Sequence, residues 1–223
     1  MVDGEANLPS VYQQQGYVLV KNVVSPEIAR VFLSVTQKSM GDSLDAQARF
    51  AASLELLNKP AYDVYSFDYP AAMTFLWGLT PFVERAIGKS LLPTYSYFRV
   101  YQKGGVCLVH SDRPSCEHSM SLTLGASDGL KWPFNIGQRR LSEQEIHAKT
   151  TQPDFGDDEY SEFEMDPGDA VLYQGVSYRH GRLAPNPNRW SAHLFLHWVD
   201  REGPFKEYAF DRRVLPGGAE FKF

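Results

Sequence analysis

The sequence predicts an α+β domain in which helices pack against a β-barrel or β-sandwich. Three observations predict it. Residues 1–90 carry apolar side chains at helical spacing, and from Leu92 onward the period changes to two. The chain also holds 14 Phe, 12 Tyr and 4 Trp in 223 residues, an aromatic content suited to a β-rich core. Helices first and strands afterwards is the order of an α+β fold, not of alternating βαβ units.

Taken in order, residues 17–21 alternate like a short strand. Ser25 and Pro26 then stand where an N-cap and a first helical residue belong. Ile28, Val31, Phe32 and Val35 follow at helical spacing and are expected to face the core. A second helix is predicted over 43–58, with Phe50, Leu54 and Leu57 on one face, and a third over 71–87, with Phe75, Leu76, Leu79 and Phe82. Strands are predicted over 95–101, 106–109, 118–124, 131–136, 162–165, 170–173 and 190–199. Between them lies a polar insertion, 137–161. In it Ser142 and Glu145 form a capping-box pattern for a short helix running to His147. An insertion of this length is either a lid or a solvated surface. The whole chain, 1–223, reads as one domain: helical support over 1–90, a β core over 92–200, and a tail over 201–223. The tail carries Phe205, Tyr208, Phe210, Phe221 and Phe223 and is expected to pack on the core or on a second copy.

Hydrophobic residues at 43% and charged residues at 22% are ordinary globular composition. The net charge of −5 lacks the basic footprint that phosphate-backbone binding needs, so no nucleic-acid partner is expected. The start has neither the basic nor the apolar region of a signal peptide, and no apolar run approaches the ~18 residues of a membrane span. Cys107 and Cys116 are too few for a disulfide framework. The expectation is a cytoplasmic protein without membrane contact.

The chemistry centres on His110-Ser111-Asp112. In an extended segment, residues two apart point to the same side, so His110 and Asp112 can reach one metal ion. A second histidine would complete the two-His-one-carboxylate arrangement, which leaves coordination positions open. A Pro167-Gly168 turn precedes the 170–173 strand, and His180 follows it. Along 189–199, Trp190, Ala192, Leu194, Leu196 and Trp198 form an apolar face, while Arg189, Ser191, His193, Phe195 and His197 form the other. A polar inward face should line a cavity with a polar occupant. Arg189 has the fork for a carboxylate, with Ser191 adding a hydrogen bond.

These residues resemble the Fe(II)/2-oxoglutarate-dependent dioxygenase superfamily, most nearly its prolyl-hydroxylase-like and phytanoyl-hydroxylase-like members. The resemblance covers about 94–199 and rests on an ordered set. Tyr101-x-x-Gly104 leads into His110-x-Asp112. Pro167-Gly168-Asp169-Ala170 matches the turn before the distal histidine, and His180 is followed by Arg189-x-Ser191. It implies a double-stranded β-helix (jelly-roll, cupin-like) core with the N-terminal helices packed on it. It also implies Fe(II) held by His110, Asp112 and His180, and 2-oxoglutarate gripped by Arg189 and Ser191. Tyr101 either contacts the co-substrate or serves the core. Dioxygen would be the second co-substrate, and decarboxylation to succinate and CO2 would drive hydroxylation of a C–H bond in a small molecule or an amino-acid side chain. Because Asp112 is present, halogenation is not expected.

Arg113, Trp132 and Asn135, with Glu117, are candidate substrate contacts beside the metal strand. Arg113 would otherwise pair with a nearby acid, and Trp132 more simply packs as a core aromatic. Among the other histidines, His147 is expected to face solvent, His118 to sit in the barrel wall, and His193 and His197 to lie near the site in structural roles. Two rival readings remain in sequence: a cupin-like metal-binding or sensing module without turnover, and a metal dioxygenase that needs no 2-oxoglutarate. Substrate identity and oligomeric state are not legible.

Overall fold

In a computed structural model, the structure describes residues 7–41, 50–51, 55–148, 150–213 and 217. The chain runs α1 (Leu8–Gln15), β1 (Tyr17–Val20), α2 (Pro26–Gly41), β2 (Phe50–Ala51), β3 (Ala61–Tyr65), α3 (Pro70–Ile87), β4 (Leu91–Gln102) and β5 (Cys107–His110). It continues with β6 (His118–Ala126), β7 (Phe134–Arg140), α4 (Glu143–Ala148), β8 (Tyr160–Phe163), β9 (Ala170–Tyr173), β10 (Tyr178–Arg182) and β11 (Trp190–Asp200). Short 3-10 turns cover Pro114–Cys116 and Lys206–Arg212.

Two antiparallel sheets face each other. The larger has the order β1-β9-β6-β11-β4-β3-β2, the smaller β5-β10-β7-β8. This is a jelly-roll with helices on one outer face, the α+β double-stranded β-helix expected. The alternation along β11 explains the layering. Ala192, Leu194, Leu196 and Trp198 are completely buried against Leu76, Val83 and Ile87 of α3 and their neighbours. The Trp198 indole N–H donates to the Thr80 hydroxyl at 2.8 Å. Residues 193, 195 and 197 point the other way, into the space between the sheets. Burying one such large apolar side chain contributes roughly 2 kcal/mol, so this helix-covered face is the main source of cohesion.

The Ser25 N-cap forms as expected, its hydroxyl accepting from the Ile28 N–H at 3.3 Å. The apolar face of α2, however, is turned. Ile28, Val31 and Val35 are exposed; Phe32 is buried as expected, together with Ala29 and Thr36. Both stripes have helical spacing, but the small residues at 29 and 36 let the helix approach the strands closely. The helix predicted over 43–58 is also corrected. Phe50–Ala51 is a strand paired with Ala61–Tyr62, and Leu57 makes an isolated bridge to Cys107. Residues 43–49 and 52–54 of that prediction, with Leu54, lie outside the described residues. No described helix is long and apolar enough to cross a membrane.

The insertion forms the predicted capping box. The Ser142 N–H donates to the Glu145 carboxylate at 2.9 Å, and the Glu145 N–H donates to the Ser142 hydroxyl at 3.4 Å. The segment is tied down at two places. Gln152 and Val109 exchange backbone hydrogen bonds at 2.8 and 2.9 Å, and Arg139 and Arg179 share Glu145 and Asp158 as ion-pair partners. The tail as far as Arg213 folds back onto the core: Asp211 pairs with Arg113 at 2.7 Å and accepts from the Ser115 hydroxyl at 2.9 Å. The Phe221 and Phe223 of the predicted aromatic tail lie outside the described residues.

Candidate metal centre and its cavity

The smaller sheet sets the first two donors opposite each other. β10 runs antiparallel to β5 with His180 directly across from His110, and Asp112 follows β5 by two residues. The His110 Nδ1–H donates to the Leu108 carbonyl at 2.7 Å, and the His180 Nδ1–H donates to the Tyr178 carbonyl at 3.0 Å. A carbonyl only accepts, so both rings carry a proton on Nδ1, and each in its neutral form presents a bare Nε2 to the centre. The His110 Nε2 lies 3.7 Å from Asp112 Oδ1, and the His180 Nε2 lies 3.5 Å from Oδ2. One donor atom from each of the three residues falls within 4.8 Å of the other two. A first-row ion with bonds near ~2.1 Å needs neighbouring donors about 3 Å apart, so a small contraction would close the set.

Asp112 is placed by a close approach. Its N–H donates to the Gly175 carbonyl at 2.9 Å. A Cβ on Gly175 would stand 2.3 Å from Asp112 Oδ2 and 2.7 Å from the Cys116 carbonyl, so only glycine leaves room for the carboxylate. Electrostatics suit a cation. Burial, and then the neighbouring His180, pull His110 down to about 4, so it is neutral near pH 7. Burial would raise Asp112, but His180 and His110 hold it well below the usual carboxylate range. Burial would likewise lower His180, and the Asp112 charge outweighs it, leaving His180 raised. A carboxylate held as an anion beside two imidazoles is a donor set that could hold a divalent cation.

The three donors open on a cavity of about 330 Å³ lined also by Tyr97, Arg99, Tyr101, Phe195 and Arg182. Its two buried guanidiniums differ. Arg99 is neutralised by Asp63 across the β3–β4 pair, in a two-pronged contact at 2.6 and 2.5 Å. Arg182 is 1% exposed. It donates to the Trp132 carbonyl at 2.6 Å, contacts the His193 Nδ1 at 3.3 Å, and lies over the Trp132 ring at 4.6 Å. No carboxylate pairs with it among the described residues, and burial lowers its pKa from the ordinary value. A guanidinium remains charged in proteins. A buried charge without a counter-ion costs several kcal/mol, so an anion in the cavity at that end would be stabilised.

The expected carboxylate clamp is corrected. The Arg189 side chain is 75% exposed, 3.4 Å from Asp128. β11 begins only at Trp190, so the inward alternation does not extend back to 189. Ser191 is buried but occupied, donating to Asn186 Oδ1 at 2.9 Å and accepting from Asn188 at 3.2 Å, and it does not line the cavity. Tyr101 does line it, edge-on to Trp132 and His193. Burial raises its pKa, so the phenol stays protonated.

The candidate substrate contacts separate in the same way. Arg113 lines the cavity, stacked over Tyr95 at 4.4 Å and paired with Asp211. Glu117 accepts from the Asp200 N–H at 2.8 Å and stays out of the cavity lining. Trp132 lies beneath Arg182, and its indole N–H donates to the Ala184 carbonyl at 2.7 Å. Asn135 is structural: it bridges Glu162 at 3.0 Å and the Leu183 N–H at 3.1 Å. His147 is exposed. His118 is buried in the wall, bonded to the Tyr12 hydroxyl at 2.8 Å. His197 reaches the cavity and His193 supports Arg182. Arg182 went unread because 178–182 was not taken as a strand; with His180 assigned inward, the period-two rule would have placed Arg182 beside it.

No family model matches the chain, and no curated protein matches it in sequence. Solved structures do match in shape. The 2-oxoglutarate-dependent non-haem carbocyclase SnoK of nogalamycin biosynthesis superposes with a TM-score of 0.65 at 14% identity, over 99% of this chain and 95% of that one. EctD from S. alaskensis with 2-oxoglutarate and 5-hydroxyectoine gives 0.62 at 14% identity, over 97% and 87%. A Pseudomonas putida prolyl-4-hydroxylase gives 0.57 at 14%, over 86% and 97%. The chain shares the jelly-roll fold of these oxygenases.

Proposed function

We propose that the protein is a non-haem Fe(II)- and 2-oxoglutarate-dependent dioxygenase that hydroxylates a C–H bond of a small molecule or an amino-acid side chain. The observation that carries this reading is the shared cavity: a His110/Asp112/His180 donor set at one place and an unpaired, buried Arg182 at another. The donor set alone would serve many metal proteins. A metal and an internal cation together call for a ligand with one end that coordinates and another that is anionic, which is the chemistry of a keto diacid.

The bound metal and co-substrate would supply dioxygen activation, with succinate and CO2 as co-products. The chain's own residues do the rest. His110, Asp112 and His180 hold the ion on one side and leave its other side to the cavity. Arg182 takes the distal carboxylate, steadied by the Trp132 carbonyl and ring and by His193. Tyr101, a neutral phenol beside this end, can donate one hydrogen bond. The aromatic lining keeps water from the reacting centre. Asp112 fills the position a halide would need, which accords with hydroxylation.

A binding module without turnover would have no reason to keep Arg182 buried and uncompensated, and a dioxygenase that cleaves its own substrate would have no second acid to hold there. The test is succinate release from 2-oxoglutarate by Fe(II)-loaded protein under air, with ascorbate and without added substrate. Slow release abolished in His180→Ala supports the reading. Equal release by wild type and His180→Ala, or none from iron-loaded folded protein, removes it.

A further inference from the structure

A second cluster of metal-ligand types adjoins the first. Asp112, Cys116 and His197 each offer a donor atom within 4.8 Å of the other two. Cys116 and His197 are each only 2% exposed, and the oxygenase reading uses neither. The Pro114–Cys116 turn, closed by the Cys116 N–H donating to the Arg113 carbonyl at 2.8 Å, brings the thiol back beside Asp112. His197 comes from β11 in the opposite sheet.

A single hydroxyl ties the three residues together. Ser119 Oγ lies 2.8 Å from His197 Nδ1, 3.4 Å from Asp112 Oδ2 and 3.3 Å from the Cys116 carbonyl. With Nδ1 engaged, Nε2 is the nitrogen left over, and it is buried with no hydrogen-bond partner among the described residues. Among the described residues the sulfur's one hydrogen-bond contact is the Tyr95 hydroxyl at 3.2 Å, a group able to donate to a thiolate. Buried polar atoms in native proteins are usually satisfied, and an outer hydroxyl that orients several ligands at once is a common feature of metal sites.

We propose that Asp112, Cys116 and His197 form a second divalent-cation position, selective for thiophilic ions such as zinc, that shares Asp112 with the iron site. A thiolate, an imidazole and a carboxylate in one buried cluster suit zinc, whereas two imidazoles and a carboxylate suit iron. Because Asp112 serves both, zinc at the second position competes for the carboxylate that completes the first and weakens iron binding there. Binding releases the Cys116 proton to solvent as the sulfur–metal bond forms.

Cobalt(II) titrated anaerobically into the metal-free full-length protein tests this, because thiolate–cobalt bonds give an intense near-ultraviolet charge-transfer absorption that nitrogen and oxygen ligands do not. The expected result is a sulfur-to-cobalt band that zinc abolishes. The band should persist in Cys107→Ser and His180→Ala, and should be lost in Cys116→Ser and weakened in His197→Gln, each variant being checked for a cooperative thermal transition. Absence of the band in wild type, or a band that follows Cys107, overturns the proposal. The readout involves neither 2-oxoglutarate nor oxygen, so its failure leaves the oxygenase reading standing, and loss of the oxygenase reading leaves this one standing.

Discussion

His180 and Arg182 stand two residues apart on β10 and line the same cavity, so one strand supplies both an imidazole of the His110/Asp112/His180 cluster and a buried cation. Replacing Arg182 by Met should raise the KM for 2-oxoglutarate roughly 100-fold, the equivalent of about 3 kcal/mol for a lost buried charged contact. The ligand-free protein should meanwhile be as stable as wild type or more so, since an uncompensated buried charge is removed. Arg189→Ala should leave the KM within about twofold, as expected for an exposed pair. Steady-state succinate assays with urea unfolding of the same variants check both halves.

Gly175 governs Asp112. A methyl group at 175 would sit on the Asp112 carboxylate and the Ser119 hydroxyl. Gly175→Ala should therefore lower Fe(II) affinity by about 10- to 100-fold, as loss of a ligand's support does, without removing a ligand. Isothermal titration under anaerobic conditions measures it. Unchanged affinity would mean that Asp112 is positioned by something else.

Asp169 is a structural carboxylate. It is 2% exposed and accepts from the Asn22 N–H at 3.0 Å, the Asp166 N–H at 2.9 Å and Lys21 at 2.7 Å. Asp169→Ala strands two backbone donors and should cost about 3 kcal/mol of unfolding free energy. Denaturant melts should report this at pH 7, with the metal affinity of the folded fraction unaltered.

The buried histidines make stability depend on pH. Burial pulls His118 down to about 3 and His197 to about 4; with His110 at about 4, these groups stay neutral in the fold and titrate normally once unfolded. Their contribution is complete above an unfolded pKa of about 6.5 and is lost as pH falls from there through the folded values. At pH 5 each forfeits up to about 2 kcal/mol, while His180, raised by Asp112, opposes the trend by one proton. Metal-free protein should unfold at markedly lower urea at pH 5 than at pH 7.5, and His118→Gln should flatten that slope.

The legible parts of the sequence were those where one period or one local pair decides the outcome. β9, β11 and the Ser142/Glu145 cap all follow from spacing alone. The donor set of His110, Asp112 and His180 was also within reach, and the structure brings the three together. β10 was hidden because it is polar and interrupted by Gly181. A Cβ there would stand 2.7 Å from the Cys107 carbonyl, so a glycine that reads as a strand breaker is required by the crossing of β5. Arg189 was read as inward because the alternation of β11 was carried one residue past the strand's start at Trp190. The face of α2 failed for a different reason. Two stripes share one helical spacing, and only the depth of the sheet surface chooses between them.

The Arg113–Asp211 pair has a consequence for anyone handling the gene. Asp211 braces Arg113 in the wall of the cavity, although only twelve residues follow it in the chain. An expression clone trimmed after β11 to remove the irregular tail would unclamp the cation next to Asp112 and leave the Ser115 hydroxyl without its acceptor. Affinity handles and reporter fusions therefore belong at the amino end, and a shortened clone that folds yet shows altered substrate preference would be tracing this contact.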